Sequence, residues 1–78
     1  MALLGKHLRL TGLTAKGKNR VREHGQFWTV LAEVDKVIFN PNPGPWLFIT
    51  PSGRTQDDKA ARWIKADGDT DFSFVEVK

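Results

Sequence analysis

Seventy-eight residues with a net charge of +3 and no cysteine describe a single small domain over residues 1–78, because a second core would leave each half at a size that usually needs metals or disulfides. The absence of thiols excludes disulfides and thiolate metal sites, and the two histidines, His7 and His24, are too few for a zinc centre without carboxylates. No apolar run approaches the roughly 18 residues of a membrane span, and Met1-Ala2-Leu3-Leu4-Gly5 is too short for a signal-peptide apolar region, so a cytoplasmic protein with no membrane role is expected.

The chain then reads as follows. His7 to Leu10 alternates polar and apolar, which places Leu8 and Leu10 on one face of a first strand. From Thr14 to His24 the period changes: Leu13, Gly17, Val21 and His24 fall on one side of a helical wheel, with Thr14 placed to cap the start and Gly25 to end the helix. Phe27 to Val34 is a strand with Trp28, Val30, Ala32 and Val34 on one face. Asp35-Lys36 reads as a turn or bulge, after which Val37-Ile38-Phe39 resumes extended character. Asn40-Pro41-Asn42-Pro43-Gly44-Pro45 cannot supply ladder donors and reads as a stiff loop. Trp46 to Thr50, Ala60 to Ala66 and Phe72 to Val77 complete the strands, separated by Pro51-Ser52-Gly53 with a polar loop and by Asp67-Gly68-Asp69.

This order, with short connections, predicts a mainly β (α+β) fold: a small antiparallel SH3-like β-barrel, or a curled open sheet, with one short helix near residues 14–24. Three tryptophans and five phenylalanines supply the core, each burying roughly 150 to 250 Å², with an exposed stacking face of the kind small barrels use for single strands as the alternative for some of them.

Two segments imitate ligand motifs. Gly12-Leu13-Thr14-Ala15-Lys16-Gly17-Lys18-Asn19 follows a strand and enters a helix as a phosphate-binding loop does, but Asn19 stands where magnesium requires Ser or Thr, and no βαβ unit is present. Asp67-Gly68-Asp69-Thr70-Asp71 spaces its carboxylates like the opening of a calcium loop, yet Phe72 and Lys78 occupy the places that need glycine and glutamate. No acid–base or nucleophilic set emerges around either histidine. The reading is therefore a non-enzymatic protein with no metal and no cofactor.

Charge is the informative feature. Residues 1–25 carry six basic side chains against Glu23, a balance of +5; residues 26–55 balance at zero, and residues 56–78 hold four basic against six acidic, or −2. Lys16 with Arg20 and Lys18 with Arg22 are like-charged i,i+4 pairs, an unfavourable arrangement that an anion facing them would relieve. Lys16, Lys18, Arg20 and Arg22, joined by Lys6 and Arg9, are the candidate nucleic-acid contacts, and the helix N-terminus adds donors for phosphate. The proline-rich loop, with Pro43, Pro45 and a partly exposed Trp46, is a second candidate recognition element. The alternative partner class is protein: a host or phage partner, or a second copy whose acidic third meets the basic third of its neighbour.

The run Lys16-Gly17-Lys18-Asn19-Arg20-Val21-Arg22-Glu23-His24-Gly25, with Trp28, Gly44-Pro45-Trp46 and Arg62-Trp63 further on, resembles small accessory proteins encoded by tailed bacteriophages and prophages. That resemblance implies an accessory role in the cytoplasm of a bacterial host and assigns no site residues.

Overall fold

The computed structural model describes residues 3–55 and 57–77. In chain order the elements are β1 (His7–Gly12), α1 (Ala15–His24), β2 (Phe27–Val34), β3 (Trp46–Pro51), β4 (Arg62–Lys65) and β5 (Phe72–Val77). All ladders are antiparallel, and the spatial order β4-β3-β2-β1-β5 is a meander whose last strand returns beside the first. Among the described residues no ladder joins β4 to β5, so the sheet is open. It nevertheless curls until its two edges approach, since the Arg62 guanidinium on β4 lies 4.9 Å from the centroid of the Phe72 ring on β5. The curled form of the expected architecture is the one that forms, stopping short of ring closure.

Alternation along the strands turns Leu8, Leu10, Trp28, Val30, Leu47, Ile49, Ile64 and Phe72 into one concave core, closed by Leu3 and Ala60. Each such aliphatic side chain contributes about 1.5–3 kcal/mol by leaving water. Helix α1 follows its sequence signals. Thr14 is extended at φ −109° and its Oγ1 accepts from the Gly17 N–H at 3.1 Å. Gly25 ends the helix at φ 88°, a conformation that favours glycine, and its N–H donates to the Val21 carbonyl at 2.8 Å. Gly17 is buried and Val21 and His24 are half-buried, as the wheel requires. Leu13 departs from it: it precedes the cap and is exposed.

The β2 pattern breaks at a bulge. Register shifts between Val30 and Ala32, leaving Leu31 as the extra residue, and one inserted residue flips every later side chain to the opposite face. Trp28 and Val30 stay in the core, whereas Ala32 and Val34 pair with Phe48 and Trp46 on the outer face. Glu33 takes the core-side position opposite Leu47 and accepts from the Leu3 N–H at 2.9 Å.

Two extended segments are shorter than their composition implies. Val37 and Asn40 form an isolated bridge around a tight turn that leaves Ile38 and Phe39 exposed at its tip. The prolines that follow have no N–H with which to prolong a ladder. Strand β4 starts at Arg62 rather than Ala60, because Asp58 first closes a turn: its carboxylate accepts from the Ala60 N–H and its carbonyl from the Ala61 N–H.

Candidate functional site

All six candidate cations are exposed, and none forms an ion pair with a carboxylate among the described residues. They do not form one patch. At about 100° per residue, the Lys16–Arg20 and Lys18–Arg22 pairs lie roughly 160° apart around the helix, flanking a ridge of Ala15, Asn19 and Glu23. Arg22 is tied to the Asn19 side-chain oxygen. Arg9 pairs with Phe27, close in sequence to the C-terminal end of α1, while Lys6 precedes the far end of β1, about 20 Å from Gly12 by strand rise. Arg9 thus lies at the end of the β1–β2 ladder that follows α1, and Lys6 at the other.

The junction between β1 and α1 is a packed joint. A Cβ on Gly12 would lie 2.3 Å from the Lys18 backbone nitrogen, and one on Gly17 would lie 2.2 Å from the Asp71 carbonyl oxygen. These glycines let the helix press against β1 and the β4–β5 turn. The anion position at the head of the helix is taken as well: the Thr14 hydroxyl donates to Asp71 Oδ1 at 2.8 Å, and the Leu13 N–H donates to the Asp71 carbonyl at 2.7 Å. A carboxylate of the same chain thus meets the positive end of the helix dipole where phosphate donors were expected.

The calcium-like run has the same structural use. Asp69 accepts from the backbone N–H groups of Lys65, Asp71 and Phe72 at 3.0–3.1 Å, and Asp71 serves Thr14. Among the described residues no group of three His, Asp or Glu is placed to hold a metal ion. The histidines also have structural neighbours: His24 meets the Trp28 ring edge-on at 6.4 Å, and His7 Nδ1 lies 3.1 Å from the Thr29 hydroxyl.

The proline-rich connection does not hold Trp46 out to solvent. Trp46 is only 5% exposed and its indole N–H donates to the Asn42 carbonyl at 3.0 Å. The connection is fastened on both sides, with the Gly44 N–H on the Asp35 carbonyl and the Ala66 N–H on the Pro45 carbonyl; the Gly44–Pro45 peptide is cis. Pro43 is exposed, Pro45 is half-buried, and the segment acts as a cover over Trp46.

A second aromatic assembly lies on the outer face of the sheet; the sequence admits an exposed stacking face as an alternative to the core but does not assign its rings. Phe48 and Trp63 stand in register on β3 and β4 with rings 5.1 Å apart. Phe39 leans over from the tight turn, 6.4 Å from Trp63 and 6.1 Å from Trp46. Phe39 is 63% exposed, and Phe48 and Trp63 are half-buried. The only sequence signal was the alternation of β3 and β4 taken together with the bulge in β2, since the bulge decides which residues share this face.

No helix among the described residues is long and apolar enough to cross a membrane. No family model, curated protein or solved structure matches this chain.

Proposed function

We propose that this chain is a non-enzymatic nucleic-acid-binding module, an accessory protein of the bacteriophage type acting in a bacterial cytoplasm. The observation that carries the reading is that the α1 cations and Arg9 are all exposed and form no ion pair with a carboxylate among the described residues. Like charges on one short helix repel, and phosphates relieve that repulsion while releasing counterions. Because the two cation pairs lie on opposite flanks, one flank carries more of the contact than the other. The double change Lys18→Glu, Arg22→Glu tests the flank nearer the helix C-terminus, and Lys16→Glu, Arg20→Glu tests the other. Binding of a labelled nucleic acid should weaken at least tenfold in one of these variants, and its slope against log salt should become shallower by about two. Binding that ignores both salt and both double changes would refute the reading.

A protein-assembly role has its own support in strand β5. Its outer edge has no ladder partner among the described residues, and Val75 and Val77 are exposed beside it; such an edge invites pairing with a further strand. On this reading a second copy pairs through β5, and sedimentation at high micromolar concentration should show a dimer that Val75→Lys converts to monomer. A wild-type monomer under those conditions removes the self-association.

A further inference from the structure

We propose that the outer face of the sheet is a stacking platform for single-stranded nucleic acid, with Phe39 and Trp63 as the rings that receive unpaired bases. The inference rests on the nucleic-acid reading and adds the class of substrate and the residues that select it.

Register fixes which side chains share this face. On β4 they are Trp63 and Lys65, in line with Phe48 and Trp46 of β3; on β2 they are Ala32, Val34, Thr29 and Phe27; on β1, His7 and Arg9; on β5, Val75 and Val77. Every charged or titratable side chain at these strand positions is basic: Arg9, Lys65 and His7. The two strand carboxylates, Glu33 and Glu76, stand next to face residues but take the opposite register positions, across from Leu47 and Leu8, and Asp35 and Asp67 lie in the connections outside the ladders. Rings interleaved with cations and no acid are what a single strand requires, since bases stack on the rings and phosphates meet the cations. A duplex cannot use the rings, because its bases already stack on each other. Charge complementarity favours a nucleic acid over a protein partner, for which a mixture of signs would serve as well.

Geometry makes two rings available. Phe39 is mostly exposed and Trp63 is half-buried, and the two are tilted at 55° with centroids 6.4 Å apart. They form a tilted pair and not a parallel stack; Phe39 offers the larger ring surface to a base, and Trp63, packed on Phe48 at 5.1 Å, offers the part of its ring that stays exposed. Trp46 is already closed over by the Asn42 carbonyl and the proline-rich cover, so it braces Phe39 and does not itself stack. From Trp63 to Arg9 the face crosses three strand spacings, about 14 Å, and about 16 Å along the strands, because Trp63 is in line with Ala32 and Arg9 with Phe27; a strand of several nucleotides crossing it diagonally reaches both the rings and the arginine.

Fluorescence anisotropy with labelled dT12, U12 and a 12-base-pair duplex decides the question for wild type, Trp63→Ala, Trp63→Phe, Phe39→Ala and the Lys18→Glu, Arg22→Glu double change. Phe39→Ala alters an exposed turn residue and keeps the test valid if Trp63→Ala loosens the fold. Trp63→Ala and Phe39→Ala should each weaken binding of dT12 or U12 about tenfold and leave duplex affinity within twofold, while Trp63→Phe, which keeps a ring at that position, should lose much less than Trp63→Ala. Bound dT12 or U12 should also quench tryptophan fluorescence in wild type and lose most of that quenching in Trp63→Ala. Unchanged single-strand affinity in Phe39→Ala and in folded Trp63→Ala, beside a loss in the helix double change, would overturn the platform while leaving nucleic-acid binding intact; if Trp63→Ala does not fold, unchanged affinity in Phe39→Ala alone does so. Absence of any oligonucleotide binding by wild type would overturn both.

Discussion

Trp28→Ala should bring the protein to the edge of unfolding at 25 °C. The side chain is fully buried between Leu8 on β1 and Pro51 on β3 in the ladder register, and removing a buried tryptophan costs about 3–5 kcal/mol. A domain of this length starts from a stability of about 5 kcal/mol or a little more, so the loss consumes nearly all of it. The effect also reaches α1, because the indole N–H donates to the Gly25 carbonyl at 3.0 Å and the ring meets His24 edge-on; the end of the helix that carries Arg22 loses its anchor. Trp28→Phe keeps most of the apolar area and forfeits the hydrogen bond, for a smaller loss of about 1–2 kcal/mol. Circular dichroism during urea titration separates the two, and a Trp28→Ala midpoint within 0.5 M of wild type would show that the core rests elsewhere.

The helix and the strand faces of β1 were legible from sequence because local signals sufficed. Thr14 and Gly25 have side-chain and backbone preferences that act within a single turn, and Leu8 and Leu10 need only alternation. The second half of β2 was not legible. Phe27 to Val34 alternates without interruption, and nothing in its own residues announces that Leu31 is the inserted one; the bulge is decided by pairing with Ile49 and Phe48 on another strand. Val37-Ile38-Phe39 shows the limit from the other side, since β-branched composition makes a strand only when a neighbour is present to pair with it.

The functional surfaces divide along the same line. Exposure of Lys16, Lys18, Arg20 and Arg22 and their separation into two flanks both follow from wheel positions, with Gly17 and Val21 facing inward. Trp46 looked exposed because it follows a proline-rich loop, and it is covered because that loop folds back and offers the Asn42 carbonyl to its indole. Conversely nothing in the sequence chose a face for Trp63, while the register with Phe48 places it on the outer one. An aromatic residue in a short strand declares which face it occupies only when its partner strand is known.

Gly17→Ala should destabilise the protein by about 2–3 kcal/mol, against the sign that helix propensity alone predicts. In an exposed helix interior, alanine is about 1 kcal/mol better than glycine. Here the added Cβ would lie 2.2 Å from the Asp71 carbonyl oxygen, and that oxygen cannot easily retreat because it accepts from the Leu13 N–H at 2.7 Å while the Asp71 carboxylate accepts from the Thr14 hydroxyl. Relief requires the helix to back away from the β4–β5 turn, which breaks both bonds and withdraws the carboxylate from the N-cap. Gly25→Ala is the internal comparison: its φ of 88° carries strain, but nothing lies within 4 Å of the new Cβ, so about 1 kcal/mol is the expected loss. Urea midpoints measured for both variants should therefore fall in the order wild type, Gly25→Ala, Gly17→Ala. If Gly17→Ala matched or exceeded wild type, the close approach of α1 to Asp71 would not exist in solution, and the helix would be free to offer its N-terminus to a phosphate.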